Sequence, residues 1–267
     1  MAASAFQLAE QALCSALDAL GEQTKAVILV GAQAVYQHTS HFEMPVAPFT
    51  TDADLLLDSS RLSLNPAIDK SLLLAGFTPS ENNDAVGSWV SVTGVPVDLM
   101  MATSQAGPGR RSARVGGHGE RTIRKTKGLE SALHDHQRFS ISCSDEVGPS
   151  HEIAVASPAA LIVAKLHKIS DRLSSDRLLA KDAYDVYRLL FAVEAESLAK
   201  TMTQLRSSPE PKTEVEFAIG ILAKHFASSP TALGPTLAGL AESTVGDPEQ
   251  VQNRVWALSR DLLDELG

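Results

Sequence analysis

Short apolar runs separated by turn residues mark the first half of the chain. Val27 to Val30 is an uninterrupted apolar run that ends at Gly31, and the residues from there to about His38 favour a helix. Further strands are predicted at residues 53–57, 88–93, 95–101 and 151–156, and the second and third of these are expected to form a hairpin. These elements predict an α/β fold with a small mixed sheet and flanking helices.

Helical periodicity dominates the remaining sequence. Amphipathic helices are predicted over residues 3–20 and 68–74, and Ser157-Pro158 is a helix start signal. From there we expect helices to about Arg172, from about Ser175 to Phe191, and near 194–207, 212–228 and 249–265. The pattern predicts an α/β domain over residues 1–156 and a helical C-terminal domain over residues 157–267.

Three aspartates interrupt the predicted strands of the first domain. Asp52 and Asp54 are two residues apart and therefore face the same side of one strand, and Asp98 lies in the middle of another. If these strands pair, the three carboxylates converge, and a cation is needed to keep them all ionised. Mg2+ prefers such hard oxygen ligands, so the pattern indicates a magnesium site for phosphoryl or nucleotidyl transfer. The plainer interpretation of an Asp-x-Asp pair is a solvated strand edge or turn.

Other features of the sequence favour a bound phosphate or an ion pair. Gly31 begins a helix directly after a strand, and the free N–H groups of a helix N-terminus attract phosphate. Lys165 and Asp182 each occupy a position on the apolar stripe of a predicted helix. Because charged residues are rarely buried alone, these two are expected to contact each other or a ligand.

The chain resembles the DNA-polymerase-beta-like nucleotidyltransferase superfamily. The resemblance rests on three motifs in the expected order: Gly31-Ala32 opening a helix, Thr51-Asp52-Ala53-Asp54, and Val97-Asp98. Within the superfamily it is most similar to the AbiEii/MenT-like nucleotidyltransferase toxins of bacterial toxin-antitoxin systems. That similarity rests on two later segments: Lys165 to Arg172, and Lys181-Asp182-Ala183-Tyr184-Asp185.

The resemblance implies a Mg2+-dependent transfer of a nucleoside monophosphate from a nucleoside triphosphate to RNA, such as a tRNA 3′ end, and a partner antitoxin. It implies that Asp52, Asp54 and Asp98 bind the metal and that Asp98 helps to deprotonate the attacking hydroxyl. Gly31 and Ala32 would hold the triphosphate, although Ala32 stands where serine or glycine is frequent. On the second domain, Lys165 would contact the triphosphate and Asp182 would organise the active site, with further site residues at Arg172, Asp185 and Lys168.

The charge distribution bears on the acceptor. The protein is acidic, with a formal net charge of -9, yet residues 109–127 carry seven Lys or Arg side chains against one acid. This segment could bind the phosphates of RNA or of a nucleotide, or be a solvated, mobile loop. Two other functions stay open: a small-molecule nucleotidyltransferase of the antibiotic-modifying type, which has no need of the basic segment, and a non-enzymatic nucleotide- or RNA-binding protein.

Cysteine use and hydropathy bear on location. Cys14 and Cys143 are far apart in the sequence and match no metal-ligand spacing, so we expect reduced thiols in a cytoplasmic protein. The first residues lack a basic region before their apolar stretch, and polar residues interrupt that stretch. Neither a signal peptide nor a membrane span is expected.

Overall fold

The computed structural model describes residues 4–82, 84–143, 150–173 and 180–267. The chain divides into two compact units. The first comprises Met1–Ala34 and Pro48–Ala156, and the second comprises Val35–Ala47 and Ser157–Gly267.

The first unit is built on a mixed sheet. Over the described residues it has eight strands: β1 (Val27–Val30), β2 (Ala53–Leu57), β3 (Thr78–Pro79), β4 (Ser88–Val90), β5 (Pro96–Ala102), β6 (Arg124–Thr126), β7 (His136–Ser142) and β8 (Ser150–Ala156). Their order is β3-β4-β5-β2-β1-β8-β7, and β6 pairs with β5. The fold is therefore α/β with a mixed sheet, as the sequence predicted.

The centre of the sheet is its most apolar part. Strand β1 is buried along its whole length and lies antiparallel to β2 and parallel to β8. Strand β2 lies parallel to β5, and β5 forms the predicted hairpin with β4. Runs of Val, Ile and Leu at these strands are typical of strands covered on both faces.

Helices flank this sheet within the first unit. They are α1 (Ala5–Leu20), a 3-10 helix (Gly21–Ala26), the start of α2 (Gly31–Thr39), α3 (Ile68–Leu74) and α4 (Glu130–His134). Helix α1 begins with a capping box in which Ser4 and Gln7 bond each other's backbone N–H groups. Its buried face contacts α3 and strands β2 and β5.

The second unit is helical over the described residues. Its helices are α5 (Pro158–Arg172), α6 (Ala180–Ala192), α7 (Ala195–Ser207), α8 (Lys212–His225), α9 (Leu233–Glu242) and α10 (Pro248–Leu266). Helix α5 begins as predicted, with the Ser157 hydroxyl accepting from the backbone N–H of Ala160. The predicted start of the next helix, at about Ser175, lies outside the described residues.

Arg188 explains why residues 35–47 belong to the second unit. Its buried guanidinium donates to the main-chain oxygen of Val46 and lies 5.3 Å from the ring centroid of Tyr36 and 5.1 Å from that of Tyr184. The Tyr184 hydroxyl in turn donates to Glu242 at 2.6 Å. Burial, together with this hydrogen bond, raises the pKa of Tyr184 above its usual value.

Among the elements that were not predicted, α9 and β7 have sequences that argue against them. Helix α9 contains Gly234 and Gly239, which are poor helix formers. A β-carbon at these positions would lie 2.4 Å from the Phe226 ring and 2.7 Å from the Pro248 main-chain oxygen, so close packing requires glycine. Strand β7 is largely polar because it lies at an edge of the sheet.

The expectation of reduced cysteines was wrong. Cys14 on α1 and Cys143 just after β7 form a disulfide, although 129 positions separate them. The two Cα atoms lie 5.6 Å apart, because the fold brings α1 and the end of β7 together. Sequence separation alone could not reveal this proximity. The expected cytoplasmic location therefore loses its cysteine-based support and stays a prediction.

Within the described part of the chain, no helix combines the length and the apolar character that crossing a membrane requires.

Candidate active site

Asp54 and Asp98 lie side by side on adjacent strands. They are register partners in the parallel pairing of β2 with β5, and the same row continues to Val30 on β1. Register partners in a parallel pair point to the same face, so the two carboxylates share one face of the sheet. The predicted convergence of these two acids therefore follows from the observed register.

Gly31 adjoins this row at the end of β1. Its φ of +69° is in the left-handed region, and an added β-carbon would lie 2.0 Å from Oδ2 of Asp54. Only glycine has neither the conformational penalty nor the clash at this position. The first residue of α2 is thus placed against the Asp54 carboxylate.

Asp52 is fixed by different contacts. It lies immediately before β2, and its Oδ1 accepts a hydrogen bond from the Thr50 hydroxyl at 2.7 Å. Its main-chain oxygen accepts from Nε2 of Gln33 at 3.0 Å, and the same amide donates to the main-chain oxygen of Ala9 at 3.1 Å. Gln33, which is buried on α2, therefore ties the start of β2 to α1.

Arg124 is a site residue that the sequence reasoning missed. Its Nη2 donates to Oδ2 of Asp98 at 3.0 Å and lies 3.2 Å from Sδ of Met100. Arg124 was grouped with the basic segment, because a strand as short as β6 has no periodic signal. Its parallel pairing with Met100 on β5 brings the guanidinium beside Asp98.

The donor set fits Mg2+ in part. Asp54 and Asp98 supply hard carboxylate oxygens on one face, which suits this ion. However, the described residues contain no group of three or more His, Cys, Asp or Glu side chains arranged to hold a metal. The arrangement therefore offers two acids for a metal, with Asp52 engaged by Thr50 and Asp98 partly neutralised by Arg124.

The second unit contains a buried network of charges. Lys165 Nζ donates to Oδ1 of Asp182 at 3.0 Å and to Oδ2 of Asp185 at 2.5 Å, and all three side chains are at most 4% exposed. Asp182 also pairs with Arg172 at 2.7 Å and Lys168 at 3.3 Å. Three cations thus surround two carboxylates.

The network keeps Lys165 and Asp182 charged. Burial alone would lower the pKa of Lys165, but the two carboxylates raise it above its usual value. Burial alone would raise the pKa of Asp182, but Lys165, Lys168 and Arg172 lower it well below its usual value. This is the interhelix ion pair that was one of the two interpretations from sequence. The predicted contact of Lys165 with a triphosphate stays a prediction.

Comparisons with known proteins give a limited result. No protein-family model matches this chain, and no curated protein matches it significantly. Among solved structures, its fold is similar to that of an antigenic nucleotidyltransferase-like protein from Paracoccidioides brasiliensis, with a TM-score of 0.41 and 14% sequence identity. The match covers 79% of this chain and 92% of that protein.

Proposed function

We propose that this protein is a Mg2+-dependent nucleotidyltransferase that moves a nucleoside monophosphate from a nucleoside triphosphate to an RNA acceptor. The observation that carries the proposal is the row formed by Asp54 and Asp98, with Gly31 against Asp54. This row puts two carboxylates beside the N-terminus of a helix. Nucleotidyl transfer needs such a combination, because acids hold the metal and free backbone N–H groups bind phosphate.

Each residue of the row has a role in this proposal. Asp54 and Asp98 would hold Mg2+, and Asp52, immediately before β2, would be a further ligand. The ion, when bound, supplies the positive charge that stabilises the attacking and leaving oxygens. Gly31 and Ala32 present the N–H groups of the first turn of α2 to the triphosphate. Asp98 would accept the proton of the attacking hydroxyl, and Arg124 pairs with Oδ2 of the same carboxylate, for which it competes with the metal.

The acceptor and the biological role come from the similarity to the AbiEii/MenT-like toxins. We propose that the acceptor is RNA, such as a tRNA 3′ end, and that the protein acts as a toxin controlled by a cognate antitoxin. The basic segment at residues 109–127 supports an RNA acceptor, because seven of its side chains are cationic in an otherwise acidic protein.

The test is incubation of the purified protein with each labelled nucleoside triphosphate, Mg2+ and total tRNA. The wild type should label the RNA, and the Asp54→Asn and Asp98→Asn variants should lose at least about a hundredfold in rate. Asp264→Asn, which changes an exposed acid on α10, is the matched control and should keep the wild-type rate.

Other outcomes would separate the alternatives. Labelling of a small molecule in place of RNA, with no effect of neutralising the basic segment, would favour an enzyme of the antibiotic-modifying type. A cellular effect that survives Asp54→Asn would favour a binding protein without catalytic activity. Loss of labelling in the Asp264→Asn control would contradict the assignment of the site.

A further inference from the structure

Four arginines line one cavity of the first unit. The cavity has a volume of about 680 Å³, and its lining residues are Val86, Gly109, Arg110, Arg111, Ser112, Arg114 and Arg121. This volume falls in the range of about 300–1,000 Å³ that is usual for ligand sites. We call it the arginine pocket. Of these lining residues, none is acidic and none is aromatic.

The backbone of the arginine pocket is hydrogen-bonded to the sheet. The N–H of Ala113 donates to the main-chain oxygen of Ile123 at 3.0 Å, and the N–H of Lys125 donates to that of Arg111 at 2.8 Å. Ala113 and Ile123 are also buried. The backbone that carries Arg111 and the neighbouring Arg110 and Arg114 is therefore tied to the sheet, and the interpretation of this segment as a mobile loop loses support.

The arginine pocket is connected to the strand that carries Asp98. Ser112 forms a bridge with Arg124, which pairs with Met100 on β5. Since neighbouring strands lie about 4.8 Å apart, Ser112 lies roughly 10 Å from β5. Gly87 makes a second connection, because its N–H donates to the main-chain oxygen of Arg121 at 3.1 Å and its own oxygen accepts from Leu99 at 2.7 Å.

The chemistry of the lining selects phosphate. Arginine presents a planar set of donors that matches phosphate oxygens in pairs. Because none of these lining residues is aromatic, bases cannot stack on them. The arginines would therefore contact the backbone of a nucleic acid rather than its bases. Arg111 also pairs with Asp84, but both side chains are largely exposed, and such a pair is weak.

We propose that the arginine pocket binds the sugar-phosphate backbone of the RNA acceptor. This inference rests on the proposed function, because it assigns a place to the acceptor of that reaction. With a net charge of -9, the protein as a whole repels polyanions, so a local group of fixed arginines determines where RNA is bound.

The test measures RNA binding without nucleotide or Mg2+. Fluorescence anisotropy of a labelled RNA hairpin is recorded at several salt concentrations for the wild type and for Arg110→Ala/Arg114→Ala. The double variant should bind at least about tenfold more weakly, and its slope of log affinity against log salt should fall by about 2. Arg110→Lys/Arg114→Lys should keep most of the slope, because it keeps both charges.

A charge-matched control is Arg138→Ala/Arg254→Ala, which removes one exposed arginine from β7 and one from α10. Strand β7 lies at the opposite edge of the sheet from β3, β4 and β6. This control should bind RNA like the wild type. Equal weakening in both double variants would overturn the proposal, since total charge would then explain the binding. Circular dichroism and melting curves verify that each variant is folded.

The same assay distinguishes RNA from smaller phosphates. Inorganic tripolyphosphate should compete only weakly with the hairpin. If tripolyphosphate binds in an arginine-dependent way and RNA does not, the proposal is overturned and the pocket is a polyphosphate site. Because the assay contains no nucleoside triphosphate, its result is independent of transfer. RNA binding through these arginines without any nucleotide transfer would refute the proposed function and leave the binding site standing.

Discussion

Gly31 and the carboxylate of Asp54 lie so close together that no side chain fits between them. A β-carbon at position 31 would stand 2.0 Å from Oδ2 and 2.7 Å from Cβ of Asp54. Two sequence motifs more than twenty positions apart are thus joined in one contact. Glycine at position 31 therefore leaves room for the Asp54 carboxylate, and it also allows the turn between β1 and α2.

Gly31→Ala should impair the proposed nucleotidyl transfer more than it impairs folding. The Asp54 carboxylate would have to move by about 1 Å, and a displacement of that size at a reacting centre costs about a hundredfold in rate. The positive φ of +69° adds a conformational cost of about 1–2 kcal/mol. Labelling rates and urea unfolding of the same preparations measure both effects.

The matched control is Gly94→Ala in the β4–β5 hairpin. Gly94 has a φ of +81°, but an added β-carbon would meet no atom within 4 Å. This variant should have a similar conformational cost and keep its transfer rate. Equal loss of rate in both variants would show that backbone strain, and not contact with Asp54, explains the effect.

The strands that carry the acids could be predicted because they are buried and apolar. Strands β1 and β2 were expected at the positions where they occur, and β5 was expected within one residue. The pairing of Asp54 with Asp98 depended on the additional assumption that their strands are neighbours. That assumption was correct, but sequence periodicity contains no information on strand order.

The remaining features depend on contacts between distant segments. Arg124 faces Asp98 only because β6 pairs with β5, and Cys14 meets Cys143 only because α1 lies near the end of β7. Helix propensity even opposes α9, which is stabilised by close packing at its glycines. Tertiary contacts of this kind override local preference and leave no local signal.

Arg124→Ala should strengthen the proposed binding of Mg2+. The guanidinium competes with a metal ion for Oδ2 of Asp98, and a half-exposed ion pair of this kind contributes at most about 1 kcal/mol. Its removal should therefore tighten Mg2+ binding by up to about fivefold, as measured by isothermal titration calorimetry. Arg61→Ala, which breaks the ion pair with Asp58, is the control and should leave the affinity unchanged. Weaker Mg2+ binding by Arg124→Ala would show that the arginine supports the site.

Asp182→Asn should destabilise the protein and make its free energy of unfolding less dependent on pH in the acid range. Removing this charge leaves Lys165 buried with a single carboxylate partner, at a cost of about 3 kcal/mol. The folded-state pKa of Asp182 is lowered, so its contribution is complete above the unfolded pKa of about 3.9. It is lost as the pH falls through the lower folded-state value.

Urea unfolding between about pH 6 and pH 3 measures this effect. The wild type should lose stability more steeply than Asp182→Asn over the acid part of that range. Asp171→Asn, on the exposed side of the neighbouring α5, should follow the wild type. Parallel curves for wild type and Asp182→Asn would contradict an ionised, cation-bound Asp182.

Breaking the disulfide between Cys14 and Cys143 should destabilise the first unit. The bond closes a loop across 129 positions, and a loop of this length restricts the unfolded chain by an amount worth about 2–4 kcal/mol in practice.

The protein has two tryptophans, of which the buried Trp89 belongs to the first unit. In a Trp256→Phe background, the fluorescence of Trp89 therefore reports on the unfolding of that unit. Cys14→Ser/Cys143→Ser should lower its unfolding midpoint, and dithiothreitol should have the same effect on the parent but none on the double variant. If the unfolding midpoint of the parent is the same with and without dithiothreitol, the disulfide does not stabilise the fold, because the reduced and oxidised proteins are then equally stable.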